Sequence, residues 1–417
     1  MVKQVRSPWR WLIHGRGRLF TSRPSPGPVA ISAAACALCV YLLVTSWSTP
    51  VRPVMTADWT ELPDPPDLTF RDKYFLWDRL HPPAMGDDQW ARSDSYLIYR
   101  CDPGRMDRCG GLADRLKGML LAYVMANLTR RAFRVEVMKP SCGFQFYLTP
   151  NVYDWSVEDE ATLPPPDSGN IVRLVNDHYF RDNIARIHFE EYISPSVREI
   201  YFQANLEYMG ELRRTRVYHE ELSWMEGLSP ADIYAALYKR LFRLAPRLQT
   251  QLRQLLSKHL NSTRSRLVCT HVRLGRNPSI QGDTEIRNSL RNVKTYLWPF
   301  LQSQLLSETD SLFIMTDSAQ VDESARQQPF AHRLVAIPGT IAHIDMARGL
   351  SFEEMCQAQD RLMLEFHLLM TCDLVVKSAS GISEFASFIR GSDRGLYCFH
   401  KNGTIFPCQR NRFSNFS

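Results

Sequence analysis

The sequence predicts an α/β protein: two units of strands alternating with helices, carried behind an N-terminal membrane anchor and a stem. Three observations predict it. A glycine-turned loop joins a strand to a helix at Cys101–Gly118. The stretch from Arg266 to Phe399 alternates strand and helix throughout. Val29–Trp47 carries no charge.

The first 28 residues hold Lys3, Arg6, Arg10, Arg16, Arg18 and Arg23 and no acid. The uncharged run VAISAAACALCVYLLVTSW at 29–47 follows, and a membrane-spanning helix needs about 17–25 residues. Basic residues ahead of the span hold residues 1–28 in the cytoplasm as a basic tail and send the rest across, a type II signal anchor. A cleaved signal peptide fits less well, because the basic lead is long and no small-residue cleavage pattern follows. The formal charge is +6, from 50 Lys+Arg and 44 Asp+Glu. Removing the tail's six basic residues leaves 44 against 44. The basic balance is thus a topology signal, and no nucleic-acid partner is expected.

Residues 48–92, with ELPDPPDL, read as a stem. Of ten cysteines, Cys36 and Cys39 lie in the anchor, where palmitoylation is an option. Cys101, Cys109, Cys142, Cys269, Cys356, Cys372, Cys398 and Cys408 face an oxidising lumen. Cys101 with Cys109 and Cys398 with Cys408 are placed to close short loops, but sequence does not choose among the pairings. Zinc is a poorer reading: no CxxC pair exists outside the anchor. Of the N-glycosylation sequons at Asn127, Asn261, Asn402 and Asn415, Asn127 falls inside a predicted helix. Asn261 and Asn402 sit among polar residues suited to glycans.

In the first unit, Asp94–Arg100 reads as a strand. Leu112–Arg131 has apolar residues at helical spacing, and Ala132–Met138 alternates as a second strand. Such a βαβ unit presents its helix N-terminus, after Gly110 and Gly111, to an anion. Asp154–Asp167 reads as an acidic surface loop, and Ser229–Leu260 as a helix interrupted near Pro246. Asp177, His178, Asn205, Glu207, His219, Glu220 and Glu221 supply polar groups between them.

In the second unit the spacing predicts strands at 266–272, 311–316, 332–337, 373–377 and 395–399, with helices at 288–305, 321–327, 352–372 and 382–390. Strands alternating with helices imply a parallel sheet covered on both faces. Ligands of such sheets lie at the strands' carboxyl ends. That selects three loops: His271–Asn277, Asp317–Ser318 and Ser378–Glu384. Arg273 can give a bidentate bond to phosphate, and His271 can bond a base or sugar. Asp317 can accept from guanine N–H groups or ribose hydroxyls. Ser378, Ser380 and Ser383 surround a helix start that suits an anion. Each also has a structural reading: an ion pair for Arg273, caps for Asp317 and Ser383, a core position for His271.

Four segments, GGLADRLKG, HVRLG, FIMTDS and KSASGISEFASF, together resemble the GDP-fucose-dependent fucosyltransferases of the α1,2/α1,6/protein-O type. That superfamily includes the bacterial nodulation fucosyltransferase and the protein O-fucosyltransferases. The resemblance implies a GT-B-like pair of Rossmann-type domains, an acceptor domain at 93–255 and a GDP-fucose-binding domain at 256–417. It implies that Arg273 holds the donor diphosphate, that His271 lies near guanine or ribose, and that Asp317, with Ser318 beside it, binds guanine. Ser378, Ser380 and Ser383 would line the phosphates. The loop of Gly110 and Gly111, with Asp114 and Arg115, would face donor and acceptor; Asp114 is a candidate general base by loop position, with a helix-start charge as its structural reading, and Glu207, Glu220 and Glu221 are weaker candidates. Several members carry a second arginine where this chain has Leu274, so HVRLG stands closer to the protein O-fucosyltransferase form.

The expected activity is transfer of fucose from GDP-fucose to a glycan or glycoprotein hydroxyl, with inversion, in the Golgi or ER lumen. No cofactor or metal is expected, since the sequence has no Asp-x-Asp pair. A Golgi sulfotransferase would want a phosphate loop of the form G-x-x-x-x-G-K-[ST], which is missing. A non-catalytic glycan-binding member is the third option; the presence of Arg273 speaks against it.

Overall fold

The structure, a computed structural model, describes residues 69–75, 89–101, 109–137, 142–156, 170–260, 265–276, 286–341 and 350–411. The expected tail, the anchor at 29–47, Cys36, Cys39, Asn261, Asn415 and most of the acidic loop lie outside the described residues. Among the described residues, no helix is long and apolar enough to cross a membrane.

Helix α1 (Phe70–Phe75) falls in the range expected to be stem, yet it is docked. Phe70 and Tyr74 are buried, the Tyr74 hydroxyl lies 2.6 Å from His367 Nδ1, and the Arg390 guanidinium stacks 3.8 Å from the Phe70 ring centroid. The proline-rich flanks hide this single turn and a half from any reading of periodicity.

The first unit begins with β1 (Tyr96–Cys101), α2 (Leu112–Leu128) and β2 (Ala132–Val137). Helix α2 stops three residues before its expected end, where Arg130 adopts φ 59° without a glycine to signal the turn. Next come β3 (Leu148–Pro150), β4 (Ile171–Leu174), α3 (His178–Asn183), β5 (Glu199–Ala204) and α4 (Met209–Leu212). The chain goes on through α5 (Pro230–Leu241), β6 (Phe242–Leu244) and α6 (Pro246–His259). Four parallel strands run in the order β2-β1-β5-β4, and β3 and β6 form a small antiparallel pair. Helix α2 presses onto β5 through Gly118. A Cβ there would stand 1.9 Å from the Ala204 carbonyl oxygen, so only glycine fits.

The second unit opens with β7 (Leu267–Val272). A helix expected as one piece is α7 (Leu290–Asn292), a π turn at Val293–Leu297 and α8 (Trp298–Gln304). Pro299 lacks an N–H, and its ring opposes the carbonyl one turn back, so the ladder widens there. The remaining elements are β8 (Ser311–Thr316), α9 (Ala319–Arg326), β9 (Leu334–Val335), α10 (Phe352–Thr371), β10 (Leu374–Lys377), α11 (Gly381–Arg390), β11 (Leu396–Phe399) and β12 (Ile405–Pro407). Their order is β12-β11-β10-β7-β8-β9, parallel except for β12. Of the strand expected at 332–337, the first two residues close a 3-10 turn and only Leu334 and Val335 pair.

One apolar core runs between the sheets. It includes Tyr99 and Leu120 from the first unit with Cys269, Phe313, Val375 and Phe385 from the second. A second core of Val268, Val272, Leu297, Trp298 and Val376 covers the outer face of the second sheet. All eight cysteines among the described residues pair: Cys101–Cys109, Cys142–Cys356, Cys269–Cys372 and Cys398–Cys408. The two short closures are those the spacing suggested.

Candidate active site

Both sheets reverse their winding direction once. In the first sheet the chain leaves β1 for β2 on one side, and β5 lies on the other. In the second, β7 leads to β8 and β10 lies opposite. Crevices for ligands open at such switch points, beyond the strands' carboxyl ends. The crevice of the second sheet is therefore bounded by His271–Arg273 and Lys377–Ser378. That of the first is bounded by the end of β1 at Cys101 and by Asn205–Glu207.

The two crevices adjoin. A Cβ built on Gly381, first residue of α11, would stand 3.4 Å from Ala113 Cβ and 3.9 Å from Asp114 Oδ1. The N-termini of α2 and α11 therefore meet, and both bring unpaired backbone N–H groups and the positive end of a helix dipole.

At the second crevice Arg273 and Ser378 are joined directly: the Arg273 N–H donates to Ser378 Oγ at 2.8 Å. The Arg273 guanidinium lies 3.2 Å from Asp317 Oδ2. Asp317 also accepts from the N–H groups of Leu274 (2.9 Å) and Gly275 (3.0 Å). The Asp317 carboxylate is thus turned to the loop after β7, where it anchors residues 274 and 275 and pairs with the arginine, an arrangement the sequence did not anticipate. Ser318 stands at the N-cap of α9 without a side-chain cap bond.

His271 alternates onto the same face as Leu267 and Cys269, toward the shared core. It is 4% exposed, and its Nδ1 has no hydrogen-bond partner among the described residues. Burial, aided by the Arg273 charge, depresses its pKa to about 3, so the ring is neutral. A buried neutral nitrogen without a partner is costly unless something completes it.

Two expected site residues turn inward, and a third caps its own helix. Ser383 is wholly buried and donates to the carbonyls of Ser378 (3.4 Å) and Ser380 (3.3 Å), bracing the loop from behind rather than lining it. Arg115 is also wholly buried, with Nε on the Gly110 carbonyl at 3.1 Å, so it holds the glycine loop and does not face a cleft. Asp114 Oδ2 accepts from the Gly111 N–H at 3.1 Å in a capping box, the structural role of a helix-start acid rather than that of a base. Gly110 sits at φ +80°, and a Cβ there would stand 2.7 Å from Asp114 Cβ, so the loop needs glycine. Ser378 is buried with its Oγ on Arg273. Ser380, half-buried at the N-cap of α11 without a side-chain cap bond, stays at the crevice.

Four further charged residues gather here, and of these sequence reasoning had singled out only Glu207. Lys117, Lys377 and Glu384 are buried, and Glu207 is half-buried. Burial raises the pKa of both Glu207 and Glu384, and Lys117 opposes the rise in each. Burial lowers that of Lys377, against the pull of Glu384 and Asp393. The signal existed: Lys117 interrupts the apolar face of α2, and Lys377 ends an otherwise apolar strand. Among the described residues no group of three or more His, Cys, Asp or Glu is placed to hold a metal ion.

No protein-family model matches the chain, and no curated protein matches it. Solved structures do. One is Arabidopsis thaliana FUT1, a mutant in complex with GDP, at 12% identity and TM-score 0.49, covering 80% of each chain. Another is NodZ, an alpha-1,6-fucosyltransferase soaked with GDP-fucose, at 16% identity and TM-score 0.47, covering 75% of this chain and 99% of that one. A third is POFUT1 in complex with GDP-fucose, at 13% identity and TM-score 0.38, covering 72% and 95%. At such identities no residue role passes from those proteins to this chain.

Proposed function

We propose that this chain is a fucosyltransferase that moves fucose from GDP-fucose to a hydroxyl of a glycan or glycoprotein, with inversion at the fucose C1 and without a metal. The observation that carries the reading is the convergence of the four family-like segments. HVRLG, FIMTDS and KSASGISEFASF meet at the switch point of the second sheet, and GGLADRLKG abuts them through Ala113 and Gly381.

The GDP leaving group gains negative charge as the bond to C1 breaks. Arg273, aimed by Asp317, and the start of α11 after Ser380 are the groups that meet that charge. His271, neutral and short of a partner among the described residues, suits a ribose or base contact. Gly110 and Gly111 bring the start of α2 to the other side of the same space. The absence of Asp-x-Asp from the sequence supports metal-independent transfer. The charge asymmetry around 29–47 supports a type II anchor and a lumenal catalytic part, at the Golgi or ER membrane.

The test uses the full-length chain in detergent with radiolabelled GDP-fucose, in EDTA, against free oligosaccharides, glycopeptides and hydroxyl-bearing peptides. Label transfer in EDTA, and protection from heat by GDP-fucose, are expected. Protection by a sulfonate donor instead, or transfer only with manganese restored, would overturn the reading or its metal independence respectively.

A further inference from the structure

An inverting transfer needs a group to take the acceptor proton; Asp114 caps its own helix through Oδ2, and the sequence offers Glu207, Glu220 and Glu221 besides. Glu220 and Glu221 are exposed in the turn after Tyr218. Glu207 stands elsewhere: three residues past Ala204, the last residue of β5, at the switch point of the first sheet. Its Oε1 accepts from the Gly210 N–H at 2.8 Å, which fixes the side chain. Its Oε2 lies 3.0 Å from the position a Cβ on Gly210 would take, so a larger residue there would press on the carboxylate and make it shift. Lys117 of α2 lies within electrostatic reach of both Glu207 and Glu384 of α11, the helix that opens on Ser380 and Gly381. Glu207 is thus placed on the acceptor side and feels the charges of the donor side.

We propose that Glu207 is the general base of the transfer. The assignment rests on the fucosyl-transfer reading above. In the step, the acceptor oxygen forms a bond to the fucose C1 while its proton passes to the Glu207 carboxylate. The bond from C1 to the β-phosphate oxygen breaks, and its electron pair leaves with GDP. Glu207 then returns the proton to solvent.

The surroundings suit a base. Burial raises the Glu207 pKa, the like charge of Glu211 adds to the rise, and Lys117 and the N–H groups of Gly210 and Met209 restrain it. Tyr234 of α5, Arg181 of α3 and Glu384 of α11 also sense its charge. A carboxylate whose pKa is raised is a stronger proton acceptor.

The test compares the full-length chain with Glu207→Gln and Gly210→Ala, using the best acceptor from the panel above or, if none accepts, release of fucose from GDP-fucose to water. GDP binding is measured on every variant by thermal shift. Glu207→Gln keeps the acceptor for the Gly210 N–H but cannot take a proton. Its turnover is expected to fall about 10²-fold or more with GDP binding unchanged, and the acid limb of the pH–rate profile is expected to disappear. Gly210→Ala keeps the carboxylate but crowds it, so turnover falls, GDP binding holds and the acid limb remains; this arm decides the matter should Glu207→Gln fold poorly. Normal turnover and an unchanged profile in both variants overturn the base while leaving the transferase reading intact. A parent chain that neither binds GDP-fucose nor turns it over overturns both.

Discussion

At the residue scale, Arg273 carries the sharpest expectation. Its ion pair with Asp317 is the resting arrangement, and a guanidinium with five donors can serve a carboxylate and a phosphate together. Arg273→Ala is expected to lower turnover about 10²-fold or more, as loss of one strong transition-state donor does. Arg273→Lys should rescue poorly, because a point charge cannot copy the planar fork. Asp317→Asn should act through the same arginine, since an amide oxygen cannot hold two N–H groups and the guanidinium as a carboxylate does. A purely structural ion pair would give a lower melting temperature, normal turnover in the folded fraction and good rescue by lysine; turnover and thermal unfolding of the same preparations separate the two patterns. His367 supports a second expectation. Its ring nitrogens lie 2.6 Å from the Tyr74 hydroxyl and 3.1 Å from that of Tyr238, and burial depresses its pKa to about 3. A histidine whose folded pKa lies below its unfolded value stabilises the fold above the unfolded pKa, and that stability is lost as pH falls. The window runs from the ordinary value of 6.5 down to about 3 for both His271 and His367, with a slope of up to about 1.4 kcal/mol per pH unit for each. Glu365, raised to about 7 by burial, works the other way between 4.5 and 7. The net loss should therefore steepen below pH 4.5. Denaturant titrations at several pH values check this, and His367→Phe should flatten the acid slope by one proton even though it lowers stability overall.

At the element scale, the docking of α1 has a measurable consequence. Arg390 donates to the carbonyls of Cys372, Ser392, Asp373 and Arg394, and Phe70 covers its guanidinium face. Phe70→Ala uncovers that face and removes a buried ring, so a loss of about 3 kcal/mol is expected, read as a lower denaturation midpoint. An unchanged midpoint would return Phe70–Phe75 to the stem. This helix also marks where the sequence stops being legible. Elements of strong period could be read: β1, α2, β2, β7, β8 and α10 all lie close to their expected spans. β5 was not, although it pairs with both β1 and β4 and is buried along nearly its whole length: no glycine turn or neighbouring helical repeat frames EIYFQA as they frame β1. The site divided in the same way. Chain position alone placed Arg273, His271 and Ser378 at a switch point. Whether a side chain faces the crevice or its own loop depends on partners far along the chain. Ser383, Arg115 and Asp317 look alike to Ser380 or Arg273 in one dimension, and Glu207 acquires its setting only when β5 is laid beside β1.

At the scale of the whole molecule, two Rossmann-type sheets suggest two bodies able to move apart, and the packing argues otherwise. Helix α5, from the first unit, lays Tyr234 against Phe385 and Phe388 of α11 at 5.6 and 6.0 Å between ring centroids. Tyr238 of the same helix reaches Phe366 of α10 at 6.1 Å and hydrogen-bonds His367. Cys142 is joined to Cys356 across 214 residues, and beside it Arg247 of α6 binds both carboxylate oxygens of Asp360. With one core shared by both sheets, neither can lose its packing while the other keeps its own. Thermal unfolding of residues 61–417 should therefore be one cooperative transition. Cys142→Ser with Cys356→Ser should shift it down by about 2–5 kcal/mol, the range for removing a long-loop disulfide, without splitting it, because the aromatic contacts of α5 with α10 and α11 remain. GDP-fucose binding should survive the loss, since Arg273, Asp317 and Ser378 are all held within the second sheet. Calorimetry of the parent and the double variant under identical conditions checks both expectations. Two resolved transitions in the variant would mean that the disulfide, rather than the shared core, makes the sheets a single folding unit.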